Sequence, residues 1–389
     1  MDSNKYNQRG VSASKSEIHD AIKTLDKGLY PNAFCKILPD ISGKNSDFAN
    51  IMHADTAGTK TALAYIYWKE TGDLSVWKDI VQDAIVMNID DIACIGSVSD
   101  IIISSTIGRN KHLIPAEVIS ELINASQSFI DKMKKFGIEL YLAGGETADV
   151  GDIVRTVDVG ITAFSRIAKK DLIINDIQDK DVIVGLASFG KSSYEDTYNS
   201  GMGSNGLTSA RHDIFSNIYS KKYPESYAEQ TADKYIYSGT KLLTDIINVD
   251  GIDISLGKFV LSPTRTYLPV LNEILNSYRQ NINGIIHCTG GAQTKVMKFV
   301  NNKKVIKNNL FKTPELFKLI QKESNTGWKE MYEVFNMGHR LEIYLPEKYA
   351  QGIIDIANMF DIDARLIGRI EDNTYNELII KSENGKFIY

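Results

Sequence analysis

Short β-branched runs that break off in glycine recur along this chain, and they limit what it can fold into. Residues 50–54 lead into Asp55-Thr56-Ala57-Gly58-Thr59-Lys60, and residues 99–107 stop at Gly108. Residues 138–143 stop at Gly144-Gly145, and residues 284–288 stop at Thr289-Gly290-Gly291, so each half contains a strand ending in a glycine pair. Such runs read as strands bounded by turns. Further strands are expected at 155–167, 182–187, 340–345, 364–369 and 377–381. Between them the apolar period changes: Val118, Leu122, Phe129, Ile130, Met133 and Phe136 share one face of a helix over 115–136, with Pro115 at its start and Gly137 past its end. Other helices are expected at 16–29, 263–278, 314–322 and 348–359. Strands interleaved with helices give an α/β class.

A chain of 389 residues is long enough for two domains, each with its own core. The charged stretch 168–181 is the expected boundary, which divides the chain into a polar, flexible arm at 1–15, an N-terminal domain at 16–168 and a C-terminal domain at 169–389. The net charge of −5 provides no overall basic field for nucleic acid. Cys35, Cys94 and Cys288 are far apart and form no CxxC pair, which argues against a disulfide framework or a cysteine zinc site and for a reducing compartment. No apolar run approaches a membrane span and the N-terminus lacks a signal core, so the expected location is the cytoplasm, without a membrane partner.

Three separated carboxylates stand out. Asp55 and Glu146 (in Gly144-Gly145-Glu146-Thr147-Ala148-Asp149) follow strands, and Asp91 lies on the apolar stripe Val76, Ile80, Ala84, Met87 of a helix. A carboxylate aimed at a core needs metal, a basic partner or a cap. Magnesium suits dispersed oxygen ligands combined with substrate phosphates, and Lys60 offers phosphate a point charge. Gly185-Leu186-Ala187-Ser188-Phe189-Gly190-Lys191-Ser192 matches the phosphate-loop pattern in letters, but no helical period follows it, so its amides lack the helix that would make it work. No HExxH or GxSxG is present.

Taken together, these stretches resemble the phosphoribosylformylglycinamidine cyclo-ligase (aminoimidazole ribonucleotide synthetase) family over nearly the whole chain. Asp55-Thr56-Ala57-Gly58-Thr59-Lys60 resembles DGVGTK, Asp90-Asp91 stands where that family has Asn-Asp, and Gly144 to Asp149 is similar to GGETAE. Gly203-Ser204-Asn205-Gly206 resembles the end of GPHSNG, Pro263-Thr264-Arg265 matches PTR, His287-Cys288-Thr289-Gly290-Gly291 resembles HITGG, and Phe335-Asn336-Met337-Gly338 matches FNxG. The resemblance implies an N-terminal mixed sheet at a homodimer interface, a C-terminal α/β domain over the site, and ATP-dependent cyclisation of formylglycinamidine ribonucleotide through a phosphoryl imidate. It implies that Asp55, Gly58, Thr59, Lys60, Asp91, Gly145, Glu146, Thr147, Thr289 and Gly290 meet ATP. It further implies that Asp55, Asp91 and Glu146 hold magnesium, that Ser204, Asn205, Gly206, Thr264 and Arg265 meet the ribonucleotide, and that His287 carries a proton, with Lys60 catalytic.

The member is divergent. Gly203 replaces the family histidine, for which His212 or Lys191 offer substitutes; Asp90 replaces Asn, where it either favours a cation or caps a helix; and 191–202 and 219–238 look like insertions. Alternatives are another small-molecule kinase of the superfamily, such as a thiamin phosphate kinase or selenophosphate synthetase, or a nucleotide-binding dimer that has lost catalysis.

Overall fold

The computed structural model describes residues 8–11, 21 and 23–389. Most of the expected arm, and most of the helix expected over 16–29, lie outside the described residues; 23–29 form turns and open chain. At 8–11 the arm is anchored, because the buried Arg9 guanidinium reaches Asp213 at 2.8 Å and donates from Nε to the Tyr235 carbonyl.

A five-stranded sheet has the order β1-β2-β5-β3-β4. Its strands are β1 (Ile37–Pro39), β2 (Phe48–Thr56), β3 (Ile101–Arg109), β4 (Leu140–Asp149) and β5 (Val157–Ala168). All pairs are antiparallel except β3 with β4, which makes the sheet mixed. β4 does not end at its glycine pair as the sequence suggested. It bulges there, with Gly144 at φ +89 and a register shift opposite Ser104, then runs on to Asp149. Gly145 is required by close approach, since a Cβ there would lie 2.3 Å from the Ser105 carbonyl oxygen.

Two helices cover one face of this sheet. Ala116–Lys134 buries Val118, Leu122, Phe129, Ile130 and Met133 in the predicted pattern. Val76–Ala93 is buried almost all round, as a helix must be when it lies between layers. It packs on β2, β5 and Ala116–Lys134, and on its other side against the helix Leu268–Tyr278. Asp83, Asn88, Asp90 and Asp91 are thereby carried into the interior, where each needs a partner.

A seven-stranded sheet has the order β14-β13-β10-β12-β6-β11-β9. Its strands are β6 (Asp181–Ala187), β9 (Gly284–His287), β10 (Lys303–Lys307), β11 (His339–Pro346), β12 (Ala364–Asp372), β13 (Glu377–Ser382) and β14 (Gly385–Ile388). A small hairpin, β7 (Ile246–Val249) with β8 (Ile252–Ser255), lies between β6 and β9 in the chain. The phosphate-loop letters fall on β6 and a helix-free loop: Gly190 bridges to Asn199, and the next helix begins only at Leu207. Charge is also buried in this sheet. Glu342 is in close contact with Lys307 and accepts from Tyr344 Oη at 2.5 Å, and His339 Nε2 lies 2.9 Å from Glu342. Burial alone would raise the Glu342 carboxyl, but Lys307 and His339 hold it down at about 2.

Candidate active site

The central helix Val76–Ala93 and the ends of β2, β9 and β11 converge on one hydrogen-bonded path. Asn88 Nδ2 donates to the Asp55 carbonyl at 3.4 Å, and Asn88 Oδ1 lies 2.9 Å from His53 Nδ1. His53 Nε2 stands 3.4 Å from Asp91 Oδ2, while Asp91 Oδ1 lies 2.6 Å from His287 Nδ1. Arg340 Nε donates to His287 Nε2 at 3.0 Å. A guanidinium can only donate, so Nε2 is the acceptor and the His287 proton sits on Nδ1, facing Asp91. Burial pushes His287 down to about 4, against the raising effect of Asp91, so the ring is neutral at physiological pH. Asp91 is held below the usual carboxylate range: burial would raise it, but the His287 hydrogen bond, Lys295 and the two imidazoles outweigh that. Both nitrogens of His287 are bonded within the chain, Nδ1 to Asp91 and Nε2 to Arg340, so the ring links Arg340 to Asp91.

Several expected ligands turn inward. Lys60 is fully buried and donates from Nζ to Asp83 at 2.9 Å and to the Ser262 carbonyl at 2.5 Å, so it pins the turn to the 262–264 segment. Thr264 donates to the same Asp83 from its amide (2.8 Å) and its hydroxyl (2.5 Å). Arg265 spends its guanidinium on Glu195, at 3.0 Å from Nε, and on the Ala187 and Phe189 carbonyls. A buried cation must be satisfied where it lies, and these are satisfied by protein. The loop at 191–202 supplies that Glu195, and Asn199 donates to the Pro263 carbonyl at 2.7 Å. Asp90 accepts from Thr266 Oγ1 (2.7 Å) and the Tyr267 amide (3.0 Å), tying down the chain just before Leu268–Tyr278. Burial pushes Asp90 up to about 7 despite those bonds.

Other expected residues come near one another at the surface of the chain. Thr59 Oγ1 lies 2.7 Å from Thr208 Oγ1, so the Asp55–Thr59 turn abuts the start of the helix Leu207–Ile214. Asn205 Nδ2 lies 4.0 Å from where a Cβ on Gly290 would be. Thr289 Oγ1 accepts from Lys295 Nζ at 2.6 Å, which leaves a cation beside the glycine pair. Asp55, near the end of β2, and Gly58, in the turn after it at φ +62, are both exposed.

Gly145, Glu146 and Thr147 lie on the exposed edge strand β4. Glu146 pairs with Thr106, Thr106 with Gly160, and Gly160 with Thr56, so three interstrand steps separate Glu146 from the Asp55 end of β2. At roughly 4.8 Å per step that is about 14 Å, too far for one magnesium ion to take both carboxylates from one chain. Among the described residues, the group of three metal-capable side chains that does converge is Cys288, His339 and Glu342, where Lys307 already neutralises the carboxylate. The three-carboxylate centre is thus not assembled within a single chain, and Asp91 is occupied by two imidazoles.

The substitutes weighed for Gly203 also change. His212 is buried, accepts from the Tyr237 amide at 3.1 Å, and is pushed down by burial and by Arg211 and Arg9; Lys191 is exposed. The side chain against Gly203 is Arg340, with Nη1 3.2 Å from the position of a Cβ. Asn88, Lys295 and Arg340 are the residues sequence reasoning missed. Asn88 precedes Asp91 by one helical turn and could have been paired with it, but nothing local marks Arg340.

A family model described as "AIR synthase related protein, N-terminal domain" matches residues 36–167. Phosphoribosylformylglycinamidine cyclo-ligase of Methanococcus vannielii is 30% identical over 97% of this chain and 93% of its own length. The chain belongs to the phosphoribosylformylglycinamidine cyclo-ligase family. The enzyme of that name from Methanocaldococcus jannaschii is 28% identical over 84% of this chain and 79% of its own length. Two solved structures share the fold at about one residue in ten identical. AaThiL complexed with AMPPCP and TMP has a TM-score of 0.56 and covers 96% of both chains, and the HypE–HypF complex has a TM-score of 0.54 and covers 96% of this chain and 99% of its own. As a member of the cyclo-ligase family the chain is a ligase with a two-sheet α/β fold.

Proposed function

We propose that this chain uses ATP to close formylglycinamidine ribonucleotide to aminoimidazole ribonucleotide in purine biosynthesis. The observation that carries the reading is the end-to-end similarity to cyclo-ligases. The γ-phosphoryl group passes to the formamide oxygen, an internal nitrogen attacks the activated carbon, and that oxygen leaves with phosphate; ADP and phosphate are the other products. An amide oxygen is a poor leaving group and phosphate a good one, so the chain's task is positioning and charge stabilisation. The Asp55–Thr59 turn and the amides before Leu207 would bind phosphate oxygens, and Asn205, Thr289 and Gly290 would line the same cleft. The Asp91–His287–Arg340 relay holds a guanidinium in place with a neutral imidazole. Magnesium would accompany ATP and offset charge on the transferred phosphoryl group.

A homodimer through the five-stranded sheet fits an exposed apolar row. Met52 pairs with Phe164, Phe164 with Ile102 and Ile102 with Tyr141, and Met52, Ile102 and Tyr141 are 64%, 42% and 50% exposed. A row of this kind across four strands is the pattern of a covered face. A second copy on that face would also bring another Glu146 toward the Asp55 turn. A cytoplasmic setting agrees with three buried, unpaired cysteines, and no described helix is long and apolar enough to cross a membrane.

The test of the chemistry is isotopic. With the formamide oxygen of the ribonucleotide labelled with heavy oxygen, the label should appear in inorganic phosphate; label released into water would rule out phosphoryl activation of that oxygen.

A further inference from the structure

A cavity of about 720 Å³ lies between the helices Val76–Ala93 and Ala116–Lys134, the loop at 191–199 and the hairpin β7–β8. That is the size of a small-molecule site. None of the residues that the family resemblance assigns to ATP, magnesium or the ribonucleotide lines it, and one wall belongs to the stretch 191–202 that reads as an insertion. Asp79 lines it from the start of Val76–Ala93, whereas Asp91 stands near the other end of that helix. At roughly 1.5 Å per residue the two carboxylates are about 18 Å apart along the axis, with the buried Lys60–Asp83 pair between them.

The walls are aromatic and fixed. Tyr194 packs edge-on to Phe136 with centroids 5.6 Å apart and donates from Oη to the Thr266 carbonyl at 2.7 Å. Tyr198 stacks on Phe259 at 6.4 Å, and Phe129 adds a third ring to the lining. Such walls suit a flat, partly apolar ring. Most of the charges around it are matched within the chain: Lys132 pairs with Asp196 at 2.8 Å, Lys258 with Asp73 at 2.7 Å, and Glu195 with Arg265. Asp253 accepts from Asn248 Nδ2 at 2.6 Å. Asp79 is the exception, because its half-buried carboxyl accepts no hydrogen bond among the described residues. Burial, and then the charges of Asp83 and Asp73, raise it to about 7 against the pull of Lys60 and Lys258. A carboxyl so placed lacks donors. Lys78, its neighbour in the chain, and Lys191 are exposed and form no ion pair among the described residues.

We propose that this cavity is a second ligand site, which takes a guanine nucleotide with the base edge on Asp79 and the phosphate toward Lys78 and Lys191. A carboxylate is best satisfied by two parallel N–H donors. Guanine offers its ring N1–H and its 2-amino group side by side, whereas adenine sets an acceptor nitrogen beside its amino group. Ser262, Pro263 and Thr266 also line the cavity, so the occupant touches the segment that holds Lys60, Asp83 and Asp90 in place. The site goes beyond the reaction proposed above and does not depend on it.

Calorimetry with GMP, guanosine and AMP on the wild-type chain, Asp79→Asn and Lys78→Ala tests this. GMP is expected to bind one per chain, with AMP weaker by about tenfold or more. Asp79→Asn, which puts a donor where an acceptor is needed, should weaken GMP and guanosine about tenfold with an unchanged melting temperature. Lys78→Ala should weaken GMP about threefold to tenfold and leave guanosine unchanged. No binding of GMP at millimolar concentration, or GMP bound equally well by wild type and a folded Asp79→Asn, would overturn the proposal. Because the readout is binding of a nucleotide that the cyclisation does not use, a chain that fails to close the ribonucleotide ring would overturn the proposed reaction and leave this test intact.

Discussion

Replacing Lys60 separates two opposite readings of the Asp55–Lys60 turn. The Nζ ammonium is fully buried, 2.9 Å from Asp83, and among the described residues Asp83 otherwise accepts from Thr264 through Oδ1. Lys60→Met removes the countercharge and leaves Asp83 buried, a change that costs about 3–5 kcal/mol. At roughly 2.1 cal/mol/K of unfolding entropy per residue, a chain of 389 residues has about 0.8 kcal/mol/K, so 4 kcal/mol lowers Tm by about 5 °C. Adding Asp83→Asn removes the stranded charge yet keeps the Oδ1 acceptor for Thr264, so the double variant should recover more than half of that loss. ATP affinity, measured on folded protein by calorimetry, should change less than about twofold in both variants. A lysine that touched phosphate would instead cost about 1.5–3 kcal/mol of binding, roughly tenfold to a hundredfold in Kd. A Lys60→Met protein with unchanged Tm and ATP affinity weakened tenfold would refute the structural reading.

Two further outcomes follow from other parts of the fold. Glu342 is held at about 2, below the ordinary 4.5, so its contribution is fully present above pH 4.5 and is lost as pH falls toward 2. The shift corresponds to about 3 kcal/mol, and urea unfolding of Glu342→Gln should show a flatter loss of stability between those pH values than wild type, together with lower stability at pH 7 because Lys307 loses its partner. Met52→Asp, placing charge in the exposed row on the five-stranded sheet, should shift sedimentation from dimer to monomer with little change in Tm; an unaltered dimer would locate the interface elsewhere.

Much of the architecture was legible because periodicity reports burial directly. Ala116–Lys134 has one apolar face and two punctuating residues, and its extent matched to within two residues at each end. The Val76–Ala93 helix was legible only in part. Its stripe singled out Asp91, but the helix is buried on nearly every side, so Asp83, Asn88 and Asp90 are interior as well. The helix expected from Pro263 begins at Leu268, because the proline that occupies its first turn is Pro269. Pro263–Tyr267 is instead stretched out to meet Asp83, Asp90 and Glu195.

Charge was visible in the sequence, but direction was not. Lys60 and Arg265 have the residue types that bind phosphate, yet their partners Asp83 and Glu195 lie 23 and 70 residues away, beyond any local pattern. Motif order did anticipate that the Thr59 turn would meet the segment after Gly206 and that Asn205 would approach Gly290. It could not show that strand order puts two strands, β5 and β3, between Glu146 on β4 and Asp55 on β2, a property of sheet topology alone. The same limit hid Arg340, which reaches His287 across 53 residues of sequence.

The most direct test of the account is a turnover assay on the purified chain with ATP, magnesium and formylglycinamidine ribonucleotide. The account predicts one ADP and one phosphate for each aminoimidazole ribonucleotide formed, with no ATP consumption when the ribonucleotide is omitted. Tight ATP binding with no ring closure, or phosphate transferred to a different acceptor, would contradict it.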